Sequence, residues 1–460
     1  MIIEINNLSQ EIESSYQYII SGMDVNNVWL VTIVGSIISA LLVYWALEKR
    51  TGKSKKEQIN SRIKDIEKLK DKCSSDSLPD VLSEIKSILA IIIEKKQPYE
   101  YARIKNLEGH CYYDLAILNN REDNLEKAIR SYEEALKIYT ARKYPVDYAM
   151  IQNNLGNAYK TLSEVRDKEE NLEKAISAFE EALKIRTVEK YPIDYAMTQN
   201  NIGTAYSTLS EVRDKEENLE KAISAFEEAL KIFIYTIEKY PVDYARAQNN
   251  IGTVYCPLSE VRDKEENLEK AISAFEKALK IYTVEKYPVD YAMTQHNLGT
   301  AYNTLAEVRD KEKNLKKAIS AYEEALKIYT VEKYPVNYAM IQNNIGTAYS
   351  PLSEVRDKEK NLKKAISAYE KALKIRTIEK YPVDYAMTQN NLGITYDTLA
   401  EVRDKENNLK KAISAYEEAL KIRTVEKYPV NYANTQQNLG NAYKTLSEVR
   451  DKEGITPIRP

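Results

Sequence analysis

Two apolar stripes alternate along most of the chain. After Pro145, residues Ile151, Leu155, Ala158, Tyr159 and Leu162 fall at helical spacing. Pro145 suits the first turn of such a helix, where its missing N–H is one of the donors left unpaired anyway. A charged run, SEVRDKEEN, ends this stripe, and Leu172, Ala175, Ile176, Phe179, Ala182, Leu183 and Ile185 form a second one. The pattern predicts two helices, A and B, joined by a polar turn. Neither can bury its stripe alone, so each pair must stack on its neighbours.

The same phrase recurs to the end of the chain. Its Tyr-Pro mark stands at Tyr144, Tyr191, Tyr240, Tyr287, Tyr334, Tyr381 and Tyr428, about seven near-identical units. The spacing is 47 residues except between Tyr191 and Tyr240, where it is 49 because Phe233-Ile234-Tyr235 replaces a shorter stretch. A degenerate earlier copy starts at Pro98. The stripe Val81, Leu82, Ile85, Ile88, Leu89, Ile92 aligns with the second half of the unit and is expected to cap the array. Glycine stands at one register throughout: Gly109, Gly156, Gly203, Gly252, Gly299, Gly346, Gly393 and Gly440. In mid-helix it costs about 1 kcal/mol relative to alanine, so its recurrence implies a close approach between helices at that point.

Leu155-Gly156-x-x-Tyr159 followed by Ala175-x-x-x-Phe179-x-x-Ala182 resembles the tetratricopeptide repeat consensus, with Gln152 where that consensus has Trp. The resemblance covers roughly residues 77 to 453. It implies an all-α fold, a right-handed α-solenoid of antiparallel helix pairs. The usual unit has about 34 residues. Here Gly156 to Ala175 spans 19 residues and Ala182 to Gly203 spans 21, so the helices or connections are longer. The longer unit and its QNNLG-type phrase are similar to the repeats of kinesin light chains and of long prokaryotic arrays.

Before the repeats, Val25 to Leu47 is a run of 23 residues without a charge, and residues 28–47 are long enough to cross a membrane as one helix. Trp29 and Trp45 stand at the depths where amphipathic rings prefer to sit. Lys49 and Arg50 follow directly, with Lys53, Lys55 and Lys56, whereas the preceding residues carry only acidic groups. That asymmetry predicts a single-pass membrane protein with its repeats on the cytoplasmic side. An acidic start provides no basic n-region for a cleaved signal peptide. The expected organisation is an extracytoplasmic segment (1–27), a transmembrane helix (28–47), a charged helical linker (48–76), a degenerate capping half-repeat (77–97), the repeat array (98–453) and a tail (454–460). The final unit stops after helix A, so either the end is a bare cap or the chain has been truncated.

Composition narrows the function. With 67 basic residues against 70 acidic ones, no positive excess exists to neutralise a phosphate backbone, so no nucleic-acid partner is expected. Cys73, Cys111 and Cys256 lie in no metal-ligand or disulfide spacing, and no metal or cofactor is expected. Only His110 and His296 are available for acid–base work near neutral pH, and neither stands beside a nucleophile. We read no active site and expect no enzyme.

Asparagine forms the more informative pattern. Asn153, Asn200, Asn249, Asn343 and Asn390 share one register, with His296 in the same place in its unit. Asn154, Asn201, Asn250, Asn297, Asn344, Asn391 and Asn438 share the next. Asn153, Asn157 and Lys160 lie on the face of helix A that carries Met150, away from the Leu155–Tyr159–Leu162 stripe. In tetratricopeptide arrays the first helix of each pair lines a concave groove, and by that resemblance these amides would grip a peptide backbone. The competing reading is that the second asparagine ties helix A to the preceding helix B. Two positions on this face vary between copies: Asn157, Thr204, Thr253, Thr300, Thr347, Ile394 and Asn441 at one, and Lys160, Ser207, Cys256, Asn303, Ser350, Asp397 and Lys444 at the other. Selectivity should reside there.

Pro257 and Pro351 replace a threonine late in helix A and are expected to bend or end it. The alternating charges of SEVRDKEEN read as a solvated turn. The expected function is a membrane-anchored scaffold or assembly factor that binds a protein or peptide partner. Two other classes stay open. One is a self-associating structural array or homo-oligomer, aided by the Ile59, Ile63, Ile66, Leu69 stripe. The other is the regulatory half of an effector enzyme that lacks its catalytic domain.

Overall fold

The computed structural model describes residues 55–72 and 77–452 apart from 93 and 95. Among them are 17 helices and no strand. The expected membrane span at 28–47, with Trp29, Trp45, Lys49 and Arg50, lies outside the described residues. No helix among the described residues is long and apolar enough to cross a membrane.

The chain forms two compact units, Met1–Val212 and Arg213–Pro460. In the first, α1 (Lys55–Lys72) and α2 (Leu78–Leu89) precede the pairs α3 (Pro98–Leu118) with α4 (Arg121–Leu136) and α5 (Pro145–Leu162) with α6 (Lys168–Leu183), and then α7 (Pro192–Leu209). In the second, α8 (Lys215–Tyr235) precedes α9 (Pro241–Ser259) with α10 (Lys264–Leu279) and α11 (Pro288–Leu305) with α12 (Lys311–Leu326). The unit continues with α13 (Pro335–Val355) and α14 (Lys358–Leu373), α15 (Pro382–Ala400) and α16 (Lys405–Leu420), and α17 (Pro429–Lys452). Within each unit consecutive helices pack on one another as a solenoid. From α3 onward, odd-numbered helices are A and even-numbered ones are B.

The segment expected to be a charged linker is part of this packing. Ile59, Ile63 and Ile66 of α1 are buried in one cluster with Val81, Leu82, Ile85 and Ile88 of α2 and Ile104 and Cys111 of α3. Three apolar residues at helical spacing find a partner within the chain, while Leu69 stays exposed.

Each B helix starts from one local device. The residue before it is left-handed: Asn120 at φ 42°, Asp167 at 44°, Asp263 at 45°, Asp310 at 48°, with the other units alike. Asp and Asn tolerate this region better than other residues with a Cβ. An asparagine four residues on closes the turn, as Asn171 Nδ2 donates to the Arg166 carbonyl at 2.9 Å and Asn314 Nδ2 to that of Arg309 at 2.7 Å. The R-D-K-x-x-N phrase is thus a helix start. Its charges also join neighbouring units: Lys168 Nζ meets Glu211 at 2.6 Å, Lys264 meets Glu307 at 2.7 Å, and Arg309 meets Glu265 at 2.6 Å and Glu269 at 2.7 Å. The turns expected to be merely solvated carry a chain of exposed ion pairs, each worth up to about 1 kcal/mol.

The recurring glycine receives a ring. A Cβ built on Gly156 would meet Phe179 Cε1 at 2.6 Å; one on Gly299 would meet Tyr322 Cε1 at 2.6 Å and the Ala318 carbonyl at 3.1 Å. Both rings belong to helix B of the same pair and are buried. The ring's position in helix B is set by the A-x-x-x-F/Y-x-x-A pattern, whose alanines let the helices approach.

The prolines do not end their helices. Helix α9 runs two residues past Pro257, and α13 runs to Val355, past Pro351. Each proline stands near the C-terminal end, where removing one N–H loses a single bond and the turn continues through later donors such as Arg356 N to the Leu352 carbonyl at 3.0 Å.

The glycine notch yields opposite outcomes at two sites. Gly299→Ala forces a buried tyrosine ring to move and should destabilise the protein by about 1–3 kcal/mol. A Cβ on Gly440 meets nothing within 4 Å, so Gly440→Ala should stabilise α17 by up to about 1 kcal/mol through helix propensity. Thermal melting of the two variants checks this; a loss of stability in both would contradict it.

Candidate functional site: the exposed face of the A helices

In α5 the residues Ala149, Ile151, Leu155, Gly156, Ala158 and Leu162 are buried. At about 100° per residue, the opposite direction is that of Val146, Met150, Asn153, Asn157 and Lys160. The same division holds in the other A helices, so each offers one face to its neighbours and one outward.

The asparagines lie on the seam between these faces. Asn153 Oδ1 is 3.3 Å from Thr198 Oγ1 and accepts from Asn201 Nδ2 at 3.2 Å. Asn249 Oδ1 likewise faces Thr294 Oγ1 at 3.2 Å and accepts from Asn297 Nδ2 at 3.4 Å. Asn343 is met by Thr388 at 3.2 Å and Asn390 by Thr435 at 3.1 Å. The first register of one unit therefore accepts from the next A helix, and the second register supplies part of the donors. Asn154 starts this ladder by donating to Asn106 Oδ1 at 3.4 Å and to His110 Nε2 at 2.8 Å. Asn200, Asn250, Asn391 and Asn438 hold the two registers in their own units. Of the two roles left open by the sequence, the tie between helices is the one these bonds occupy, and it runs to the preceding A helix, not to the preceding B helix. Asn249 and Asn343 are buried and their carbonyl oxygens engaged, which takes them out of direct reach of a peptide.

Some junctions extend this ladder to helix B. Arg186 Nη1 donates to Thr198 Oγ1 at 3.0 Å, Arg376 to Thr388 at 3.0 Å and Arg423 to Thr435 at 2.9 Å. Where the threonine is Ile151 or Ile341, the residue twelve earlier is Tyr139 or Tyr329. Their hydroxyls instead donate to the backbone carbonyls of Tyr99 at 3.2 Å and Val289 at 3.4 Å. Thr294 keeps its asparagine with Tyr282 in the arginine position.

His296 replaces the first-register asparagine and keeps its function, since Asn344 Nδ2 lies 3.0 Å from Nε2. Burial pushes the imidazole down to about 4, so near neutral pH the ring is uncharged and Nε2 can accept.

The outward positions are the ones that vary. Thr204, Thr253, Thr300 and Thr347 turn their hydroxyls to carbonyls of their own helix, the first three at 3.0, 2.8 and 3.1 Å, and Thr253 and Thr300 are exposed. At the next variable position burial lowers Lys160 and raises Asp397, and pushes the Cys256 thiol up to about 12. Asn303 Oδ1, at this position, is buried with no partner.

The sequence reading missed a row of methionines. Five of the seven in the chain, Met150, Met197, Met293, Met340 and Met387, occupy one outward register, with Arg246 and Asn434 in the remaining units. A valine or isoleucine stands one turn before each, from Val146 to Val430. Met197 is 43% exposed and Met293 40%. The signal was a residue type confined to one register that the buried stripe does not need.

The tetratricopeptide repeat family profile matches residues 109–141, 203–233, 245–283, 299–330, 342–377 and 394–424. Paired A and B helices, with a ring of B in the glycine notch of A at Gly109, Gly156, Gly252, Gly299, Gly346 and Gly393, define a helical-repeat protein. The chain belongs to the tetratricopeptide repeat family. Solved structures similar to it include the apo form of RapI, 18% identical over 86% of this chain and 98% of that one, with a TM-score of 0.49. A signal transduction ATPase with numerous domains and a tetratricopeptide repeat sensor, from Pyrococcus horikoshii, is 18% identical over 82% of this chain and 50% of that one, at 0.44. The C-terminal part of a repeat protein from Cytophaga hutchinsonii is 16% identical over 71% and 99%, at 0.41. No curated protein sequence matches the chain.

Asn249→Ala and Asn343→Ala each remove a buried amide oxygen that meets Thr294 or Thr388 at 3.2 Å, and because each hydroxyl keeps a carbonyl of its own helix at 2.8 Å they should lower stability by about 1 kcal/mol. An unchanged melting curve for the double variant would show that the ladder contributes nothing. The buried imidazole adds a pH dependence. His296 stays neutral when folded down to about 4 but takes up a proton near 6.5 when unfolded. Its contribution is therefore fully present above pH 6.5 and is lost as the pH falls toward 4. Between those values the native protein should lose stability faster than the His296→Asn variant; parallel curves would exclude this origin.

Proposed function

We propose that this protein is a non-enzymatic scaffold that recruits a partner protein on the outward faces of its A helices, anchored to a membrane by residues 28–47. The observation that carries this reading is the division of labour on helix A. Positions that tie the array together recur in nearly every unit, whereas the outward positions change from Asn157 to Thr204 to Ile394 and from Lys160 to Cys256 to Asp397. The more exposed of these side chains, such as Thr253 and Ile394, are free to serve recognition. The uncharged stretch and the basic residues that follow it support the anchor and a cytoplasmic array.

Thr253→Arg with Ile394→Arg places two bulky cations on the outward face. Surface substitutions of this kind usually stay within about 0.5 kcal/mol of neutral for folding. Affinity purification of the full chain from its own cells should recover a partner that the double variant loses, with melting unchanged. Equal recovery by both would place the partner surface elsewhere. In the same cells the chain should sediment with membranes and become soluble when residues 28–47 are deleted.

A further inference from the structure

The A helices of three consecutive units combine two features that bear on what they recognise. The first is apolar exposure. Val289 is 44% exposed, Val336 48% and Val383 55%, and Met293 at 40% lies one turn beyond Val289. Met340 and Met387 continue the row half-buried. Contiguous exposed apolar surface of this sort marks interaction sites, and unbranched, polarisable methionine adapts its shape to varied partners.

The second feature is charge. Helices α11, α13 and α15 contain no lysine or arginine, yet α11 carries Asp290 and α15 carries Asp397, while Asp384 lies 3.6 Å from the Arg376 guanidinium. The exposed Glu307, Glu354 and Glu401 just past or at their ends are each paired with a lysine of a B helix. The turns before the helices hold neutral Glu-Lys pairs: Glu285-Lys286, Glu332-Lys333 and Glu379-Lys380. The apolar row thus has carboxylates near it at Asp290 and Asp397 and no lysine or arginine on its own helices.

Spacing selects the form of the partner. The three helices stand side by side, joined by bonds such as Asn344 to His296 at 3.0 Å and Thr388 to Asn343 at 3.2 Å. Helices in such contact have axes about 8–10 Å apart. In an α-helix lying across them, residues seven apart are about 10.5 Å apart on one face, which matches. In an extended chain the same-face repeat is about 6.8 Å, which does not.

We propose that this face docks a basic amphipathic α-helix of a partner protein, with its apolar stripe on Met293, Met340 and Met387 and its cations toward Asp290 and Asp397. The inference rests on the scaffold reading and names the chemistry of the partner.

The test uses the full chain in zwitterionic lipid nanodiscs, with empty nanodiscs as blank. The probe is a fluorescent synthetic peptide of 18 or so residues with leucines at helical period and lysines elsewhere, carrying one photo-crosslinking residue in its apolar stripe. Its controls are a glutamate-for-lysine twin and a scrambled peptide of the same composition. The basic helix should bind and cross-link to α11, α13 or α15. Affinity should fall at least tenfold in M293Q/M340Q/M387Q, recover in M293L/M340L/M387L, and weaken in D290N/D397N and at high salt. The variants' melting curves exclude misfolding as the cause. Equal binding of the scrambled peptide, preference for the acidic twin, or full affinity in the glutamine variant would overturn the proposal. If the probe fails while Thr253→Arg with Ile394→Arg still abolishes recovery of the cellular partner, the scaffold reading stands and only the basic-helix inference falls.

Discussion

The contact between an aromatic ring of helix B and the notch left by a missing Cβ in helix A sets the spacing within each pair. Tyr132 at Gly109, Phe179 at Gly156 and Tyr416 at Gly393 all occupy the volume a Cβ would need. Once that distance is set, the alanines around the ring pack and the flanking leucines are buried. The A helix is then held at a fixed rotation. Its rotation decides which residues point outward and which meet the next unit, so both the ladder and the outward face depend on this contact.

Between repeats two kinds of junction recur, with Thr294 beside Tyr282 as a mixed case. One is polar, an arginine at the end of helix B reaching a threonine of the next A helix, which in turn meets the asparagine of the previous one. The other replaces the threonine by isoleucine and the arginine by a tyrosine that bonds to backbone. Each is self-consistent: a buried arginine needs an acceptor, and an isoleucine offers none. Arg186 and Arg376, lowered by burial, have Asp194 and Asp384 close to the guanidinium at 3.7 and 3.6 Å. Replacing Thr198 or Thr388 alone by isoleucine would take an acceptor from a buried arginine. Near-identical repeats therefore carry paired differences that distinguish one interface from the next.

Bonds along the ladder engage the side-chain oxygens of Asn153, Asn249, Asn343 and Asn390, among the polar groups that looked best suited to grip a peptide. What remains outward is a mixture of valine, methionine and threonine with a few half-buried ionisable groups. Such a surface recognises shape and apolar pattern more readily than it reads a backbone by hydrogen bonds. The ion pairs at the B-helix starts stand on separate residues, so the outward face of helix A can change without loosening the stack.

Much of this architecture was legible in the residues themselves. The period of Tyr-Pro, the two stripes and the glycine register determined the number of helices, their pairing and the family. Those are local or repeated signals, and helical periodicity reports them directly. The part played by the asparagines was not legible, because a polar residue on the rim of a buried stripe can face a neighbour or a ligand, and only the rotation and spacing of adjacent A helices decide which. The prolines misled for a similar reason: the loss of one N–H matters less near the end of a helix already held by its neighbours. The isoleucines of α1 needed partners, and which partners they found depended on contacts to α2 and α3 at a distance along the chain. Sequence alone determined what must be buried; tertiary packing decided against what, because burial is satisfied by any surface of the right shape and only the fold brings one there.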